Sequence, residues 1–294
     1  MGDSATHLVI VGPARSGTTV LLNALNTSGD ICMLGEPFSY RDDGEADFRA
    51  RFNRKHKRFA NQISKSTYAP RLPGLSEHAT APDYFKALSR HYAIYGEKIS
   101  LSNPRFGSDF PRLQDWLEDH RPRCLFVFRR PADVLYSAAG LFKATTLIDT
   151  IYYYALTVRL YLNIARVLPE VRHVLHSEIS EATFQVLGRW LNADLSCAAA
   201  CYDAERLERR HPEAEIAEIE TLNLAYDFLS KWEAFDGLIA PALLQTEQKL
   251  SGENGNELGR LYAKVDALIL SLGQDHQQNN AVSDAVADSS DGRR

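Results

Sequence analysis

Short apolar runs and longer helical stripes alternate through the first two thirds of the chain. His7 to Gly12 (HLVIVG) is a continuous apolar run ending in glycine, the pattern of a parallel strand covered on both faces, and it predicts a central first strand. From Gly17 to Thr27 the residues Val20, Leu21, Leu22, Ala24 and Leu25 form a helical stripe that Ser28-Gly29 stops. Ile31 to Leu34 predicts a second short strand, followed by Gly35-Glu36-Pro37. The next clear buried strand is Cys124 to Phe128 (CLFVF), and Pro131 with Asp133 suits the first turn of a helix, which places a strand-to-helix junction at Arg129-Arg130. Thr146 to Leu168 predicts a long apolar helix, Arg172 to His176 a strand and Glu181 to Leu191 an amphipathic helix. Such alternation implies an α/β chain in three layers, with a central parallel sheet flanked by helices.

Two stretches break the alternation. Residues 41–80 lack periodicity, carry the basic run Arg49, Arg51, Arg54, Lys55, Lys57 and Arg58, and close on Pro70, Pro73 and Gly74, which reads as an insertion or lid. Beyond Tyr202 the pattern is helical, giving an extension over 203–273 to a single domain of 1–273. The tail 274–294, rich in Asp, Ser, Asn and Gln, cannot bury enough apolar surface to order itself.

Composition narrows the class of protein. With 45% hydrophobic and 24% charged residues and a net charge of -5, the chain reads as soluble and globular; a nucleic-acid partner is not expected, and any polyanion must meet a local basic patch. No run approaches the roughly 18 apolar residues that a membrane span needs, and no basic segment followed by a long apolar one opens the chain. Cys32, Cys124, Cys197 and Cys201 lack metal-ligand spacing, and two of them fall in apolar runs. A reducing, cytoplasmic location and a metal-free site are the expectation.

The candidate chemistry begins at Gly12-Pro13-Ala14-Arg15-Ser16-Gly17-Thr18-Thr19. One glycine ends the strand, four residues follow and a second glycine opens the helix, the spacing of a phosphate loop. The backbone curls around an anion, the amides of Ser16 to Thr19 point into the curl, and the helix dipole adds positive charge. A nucleotide hydrolase or kinase would carry Lys-Ser/Thr where Thr18-Thr19 stand, to reach terminal phosphates beside a magnesium ion. Here the fixed cation is Arg15, whose planar fork of donors suits a phosphosulfate.

Arg15-Ser16-Gly17-Thr18-Thr19 resembles the 5′-phosphosulfate loop of sulfotransferases that use 3′-phosphoadenosine 5′-phosphosulfate (PAPS), in the branch with arginine where the cytosolic aryl and steroid enzymes have lysine. A second stretch, Phe126 to Ser137, resembles the family's 3′-phosphate signature, with Arg129, Pro131, Asp133 and Ser137 in register, although Arg130 departs from the asparagine of the cytosolic branch. A weaker likeness at His173 to Ile179 extends the resemblance over about residues 7 to 195. The glycine-rich nucleotide loop of the cytosolic branch is not visible, and Arg206, Arg209 and Arg210 are candidate cations in its place.

The resemblance implies a P-loop-like fold, PAPS as co-substrate, a cofactor site of Arg15, Ser16, Gly17, Thr18, Thr19, Arg129 and Ser137, and transfer to a hydroxyl on a carbohydrate or small-molecule acceptor. It also implies a general base. No histidine occupies Glu97-Lys98-Ile99-Ser100, where the cytosolic branch has one, whereas Glu36 in Leu34-Gly35-Glu36-Pro37-Phe38 resembles the base of the tyrosylprotein, Golgi and bacterial branches. At the C-terminal edge of a strand, partial burial favours a basic carboxylate. Lys98 is expected to neutralise the sulfonate oxygens together with Arg15, or else to be an exposed strand-end charge; Ser102, Asn103 and Arg105 lie where an acceptor would sit. Two other readings stay open: a P-loop kinase, and a noncatalytic module that docks an acidic partner through Arg49 to Arg58.

Overall fold

The computed structural model describes residues 5–37, 39–41, 80–101, 106–139, 147–202, 217–233 and 258–273. The basic run of 49–58, Ser102, Asn103 and Arg105, the three arginines Arg206, Arg209 and Arg210, and the tail 274–294 lie outside the described residues.

Five strands form one all-parallel sheet: β1 (Thr6–Pro13), β2 (Ile31–Gly35), β3 (Ile94–Leu101), β4 (Arg123–Phe128) and β5 (Val171–Leu175), in the order β2-β3-β1-β4-β5. β1 is central as its uninterrupted burial requires, with Leu8, Val9, Ile10 and Val11 all at 0% exposure. Helix α1 (Thr18–Leu25) covers one face, packing Leu21, Leu22 and Leu25 on Leu8, Ile10 and Val127. Helices α2 (Ala81–Leu88), α3 (Phe106–His120), α4 (Pro131–Ala139) and α5 (Leu147–Val167) follow in the chain. The large core on the other face joins Val9, Val11 and Phe126 to Leu113 and Leu117 of α3 and to Tyr154, Val158 and Tyr161 of α5. Tyr153 and Tyr154 are therefore core residues of α5.

Helices α6 (Glu181–Leu191) and α7 (Ser196–Cys201) join α1 on the first face, while α8 (Ala217–Glu233) and α9 (258–273) back the second. No described helix is long and apolar enough to cross a membrane. Cys32 and Cys124 are buried and Cys197 and Cys201 exposed; burial pushes the Cys32 thiol up to about 12, as befits an inert core thiol.

One strand, β3, and three helices, α2, α3 and α7, are additions to the pattern read from the sequence. β3 (IYGEKISL) puts Glu97 and Lys98 in the middle of the sheet, so no apolar run announces it. It inserts between β1 and β2, and that insertion decides which residues face each other at the sheet's edge.

Candidate active site

All strands run parallel, so their C-terminal ends meet along one edge, where ligands of open α/β sheets collect. The turn after β1 sits there. Arg15 (φ 73) and Gly17 (φ 95) are both left-handed and fold the chain back to open α1. Each glycine is required by a contact: a Cβ at Gly12 would lie 2.6 Å from both Ser16 Oγ and the Val127 carbonyl, and one at Gly17 would lie 2.1 Å from His176 Cδ2. The first amides of α1 lack intrahelical acceptors and, with the helix dipole, face outward at this edge. Ser16 is fully buried and its Oγ has no hydrogen-bond partner among the described residues. A tight backbone with outward amides at a helix start is the feature of an anion cradle.

A second group gathers on the β4 side. Arg15 Nε donates to Ser137 Oγ at 2.9 Å, and Arg129 donates from its terminal nitrogen to the Arg15 carbonyl at 3.4 Å, across 114 positions of sequence. Arg129 is fixed from behind by Tyr154, whose hydroxyl donates to the Arg129 carbonyl at 2.8 Å. Its guanidinium is held below its ordinary value, first by burial, with Asp133 opposing and the nearby charge of Arg15 adding to the effect. A cation so placed gains from an anion brought beside it. Asp133 instead pairs through both oxygens with Arg130, at 2.9 and 3.2 Å. The two neighbouring arginines thus divide the work, Arg130 closing the start of α4 and Arg129 facing the loop.

On the β2 side lie Glu36 and Lys98. Lys98 Nζ donates to Glu36 Oε1 at 2.6 Å and to Thr19 Oγ1 at 3.1 Å. Lys98 is buried at 5%, far from the exposed strand-end charge that was one expectation. Glu36 follows Gly35, which pairs with Lys98 across the strands, and its carboxylate is a quarter exposed. It is a member of an ion pair at the site edge, not an isolated buried acid. Thr18 Oγ1 meets Ser100 Oγ at 3.4 Å, tying the start of α1 to β3.

Arg15, Ser16, Gly17, Thr18, Thr19, Glu36, Lys98, Arg129 and Ser137 thus all lie at one edge of the sheet. His176 was not expected there, nor was Glu97 expected buried on the opposite face of β3. His176, 2% exposed at the end of β5, presses on Gly17, and its signal was only that a polar residue closes a buried strand. Glu97 is fully buried in a strand that the sequence pattern conceals. Among the described residues no cluster of His, Cys, Asp and Glu forms a metal-ligand set.

This geometry defines a parallel α/β protein with a tight glycine turn between its central strand and the first helix. Neither a protein-family model nor a curated protein sequence matches the chain. Among solved structures it is similar to the sulfotransferase domain of the olefin synthase of Synechococcus PCC 7002, at 17% identity over 90% of this chain and 95% of that one, with a TM-score of 0.50. More distant likenesses are a sulfotransferase from Alicyclobacillus acidocaldarius (17% identity, 82% and 95% covered, TM-score 0.41) and the sulfotransferase domain from the curacin biosynthetic pathway (14%, 90% and 99%, 0.45). The chain has the sulfotransferase fold.

Proposed function

We propose that this protein is a PAPS-dependent sulfotransferase that modifies a hydroxyl of a carbohydrate or small-molecule acceptor and releases adenosine 3′,5′-bisphosphate. The observation that carries the reading is the meeting, at one sheet edge, of an arginine-bearing anion cradle with a carboxylate–ammonium pair. The amides of Gly17 to Thr19, in the loop that the Ser16 amide closes on the Pro13 carbonyl at 3.2 Å, and Arg15 hold the 5′-phosphosulfate, and Arg129 with Ser137 holds the 3′-phosphate. When bound, PAPS supplies the sulfuryl group and a phosphate leaving group. Glu36 receives the acceptor's hydroxyl proton on a carboxylate oxygen, which raises the nucleophilicity of an otherwise weak alcohol. Lys98 orients that carboxylate against Thr19 and offers positive charge where negative charge develops. The four free thiols fit a reducing cytoplasm.

A ligand-induced shift in melting temperature tests the donor. Adenosine 3′,5′-bisphosphate is expected to stabilise the protein, and ATP with magnesium to leave it nearly unchanged; the reverse pattern would favour a kinase. Incubation with radiolabelled PAPS and fractionated lysate then identifies the acceptor by its label, and absence of any labelled product rejects the transferase reading.

A further inference from the structure

Successive residues of a strand point to opposite faces, and β3 carries two charges side by side. Lys98 reaches Thr19 on the α1 face. Glu97 lies on the other face, level with Ile99 and Leu101, which pack with Tyr40 in the core beneath α3 and α5. Its burial is complete, an unusual position for a carboxylate that only fills space.

The chain that leaves β2 is tied to both faces of this one strand. On the α1 side the Glu36 amide donates to the Lys98 carbonyl at 2.9 Å, and the Glu36 carboxylate accepts from the Lys98 ammonium. Three residues later the Ser39 amide donates to Glu97 Oε2 at 3.3 Å, Tyr40 is buried, and Arg41 pairs with Asp109 of α3. Glu36 needs this restraint. Its φ of 57 is left-handed, a conformation that non-glycine residues rarely hold, and the proline that follows restricts it further towards extended backbone. Such a conformation persists only where its surroundings over-determine it.

We infer that Glu97 is a positioning residue for Glu36: by anchoring the Ser39 amide on the far face of the sheet, it holds the strained Glu36 backbone so that the carboxylate meets Lys98 at the site. The inference rests on the reading of Glu36 as the general base. It differs from a purely structural role for Glu97, which would cost stability and leave turnover per folded molecule unchanged.

The test compares Glu97→Gln, which keeps an acceptor oxygen for the Ser39 amide, with Glu97→Leu, which removes it, using transfer of label from PAPS to the labelled acceptor fraction and the affinity for adenosine 3′,5′-bisphosphate. Glu97→Leu is expected to lower kcat by about tenfold to a hundredfold, the cost of a small misplacement of a catalytic group, with nucleotide affinity nearly unchanged and Glu97→Gln restoring most of the turnover. Full turnover in Glu97→Leu beside an inactive Glu36→Gln overturns the positioning role and leaves the base intact; an active Glu36→Gln overturns both. Where Glu97→Leu does not fold, hydrogen exchange on the unaltered protein decides: a protected Ser39 amide supports the anchor, and one that exchanges at the rate of an unstructured peptide overturns it.

Discussion

The glycine loop is written in eight consecutive residues, Gly12 to Thr19, whereas the carboxylate edge joins Glu36 to Lys98 across 62 positions. In the loop, two left-handed residues, two crowded glycines and the start of α1 shape the site mainly from backbone, with the Arg15 side chain added. At the edge the same task falls to side chains brought together by strand order, because β3 lies between β1 and β2. Backbone-built sites bind, since amides and dipoles are permanently directed; under the proposed function the side-chain edge is where the proton is taken. The contrast predicts that substitutions on the two sides separate binding from chemistry.

The sharpest break comes from Glu36→Gln. Removing a general base is expected to reduce turnover by about a hundredfold or more while adenosine 3′,5′-bisphosphate binds nearly as before. Turnover of labelled acceptor, beside isothermal titration with the nucleotide, checks both halves. Next in size is Arg129→Ala, expected to weaken nucleotide binding by about tenfold to a hundredfold, in line with the ~1.5–3 kcal/mol of a charged hydrogen bond. If Arg129→Ala lowered kcat alone, the division of labour between the two sides would fail.

How legible each side was follows from the same contrast. HLVIVG, the glycine spacing and CLFVF are local signals, and β1, the loop, α1 and β4 appear where they predict. Arg129 and Ser137 fall beside Arg15 because a parallel sheet brings all its strand ends to one edge. β3 was opaque for a physical reason: Glu97 and Lys98 are charged yet buried, and each meets partners from a distant segment, Ser39 for one and Glu36 and Thr19 for the other. Periodicity cannot see a burial that depends on who the neighbour is. Likewise, only the geometry shows that Asp133 bonds Arg130 at 2.9 Å while its charge also acts on Arg129.

Acid should act on the frame beneath both sides. His173 in β5 is fully buried; its Nε2–H donates to the Leu229 carbonyl at 3.2 Å, so Nδ1 accepts from the Tyr161 hydroxyl at 2.8 Å. Burial lowers it to about 3, with the Leu229 hydrogen bond opposing, and His7 is lowered to about 4 by burial and then by His120. In such cases the unfolded chain binds the extra proton first, so stability is complete above about pH 6.5 and declines as pH falls from there towards the folded value. At pH 5 the loss through His173 is about 2 kcal/mol. Urea denaturation at pH 7 and pH 5 measures it, and His173→Gln, though less stable at both, should lose that part of the difference.

The smallest expected effect discriminates most finely between neighbours. Arg130 carries the same charge as Arg129, one residue away, and a purely electrostatic account of the β4 side would let either serve the anion. The geometry assigns Arg130 to Asp133, a pair spaced i to i+3 at the start of α4 with the arginine about one third exposed. Pairs so placed are worth about 0.5 kcal/mol, screened by solvent and salt. Arg130→Ala should therefore lower the melting temperature by no more than a few degrees and leave nucleotide affinity within about twofold, since less than half a kilocalorie separates such values. A loss of affinity matching that of Arg129→Ala would mean that the whole basic junction, and not the single guanidinium turned towards the loop, receives the phosphate.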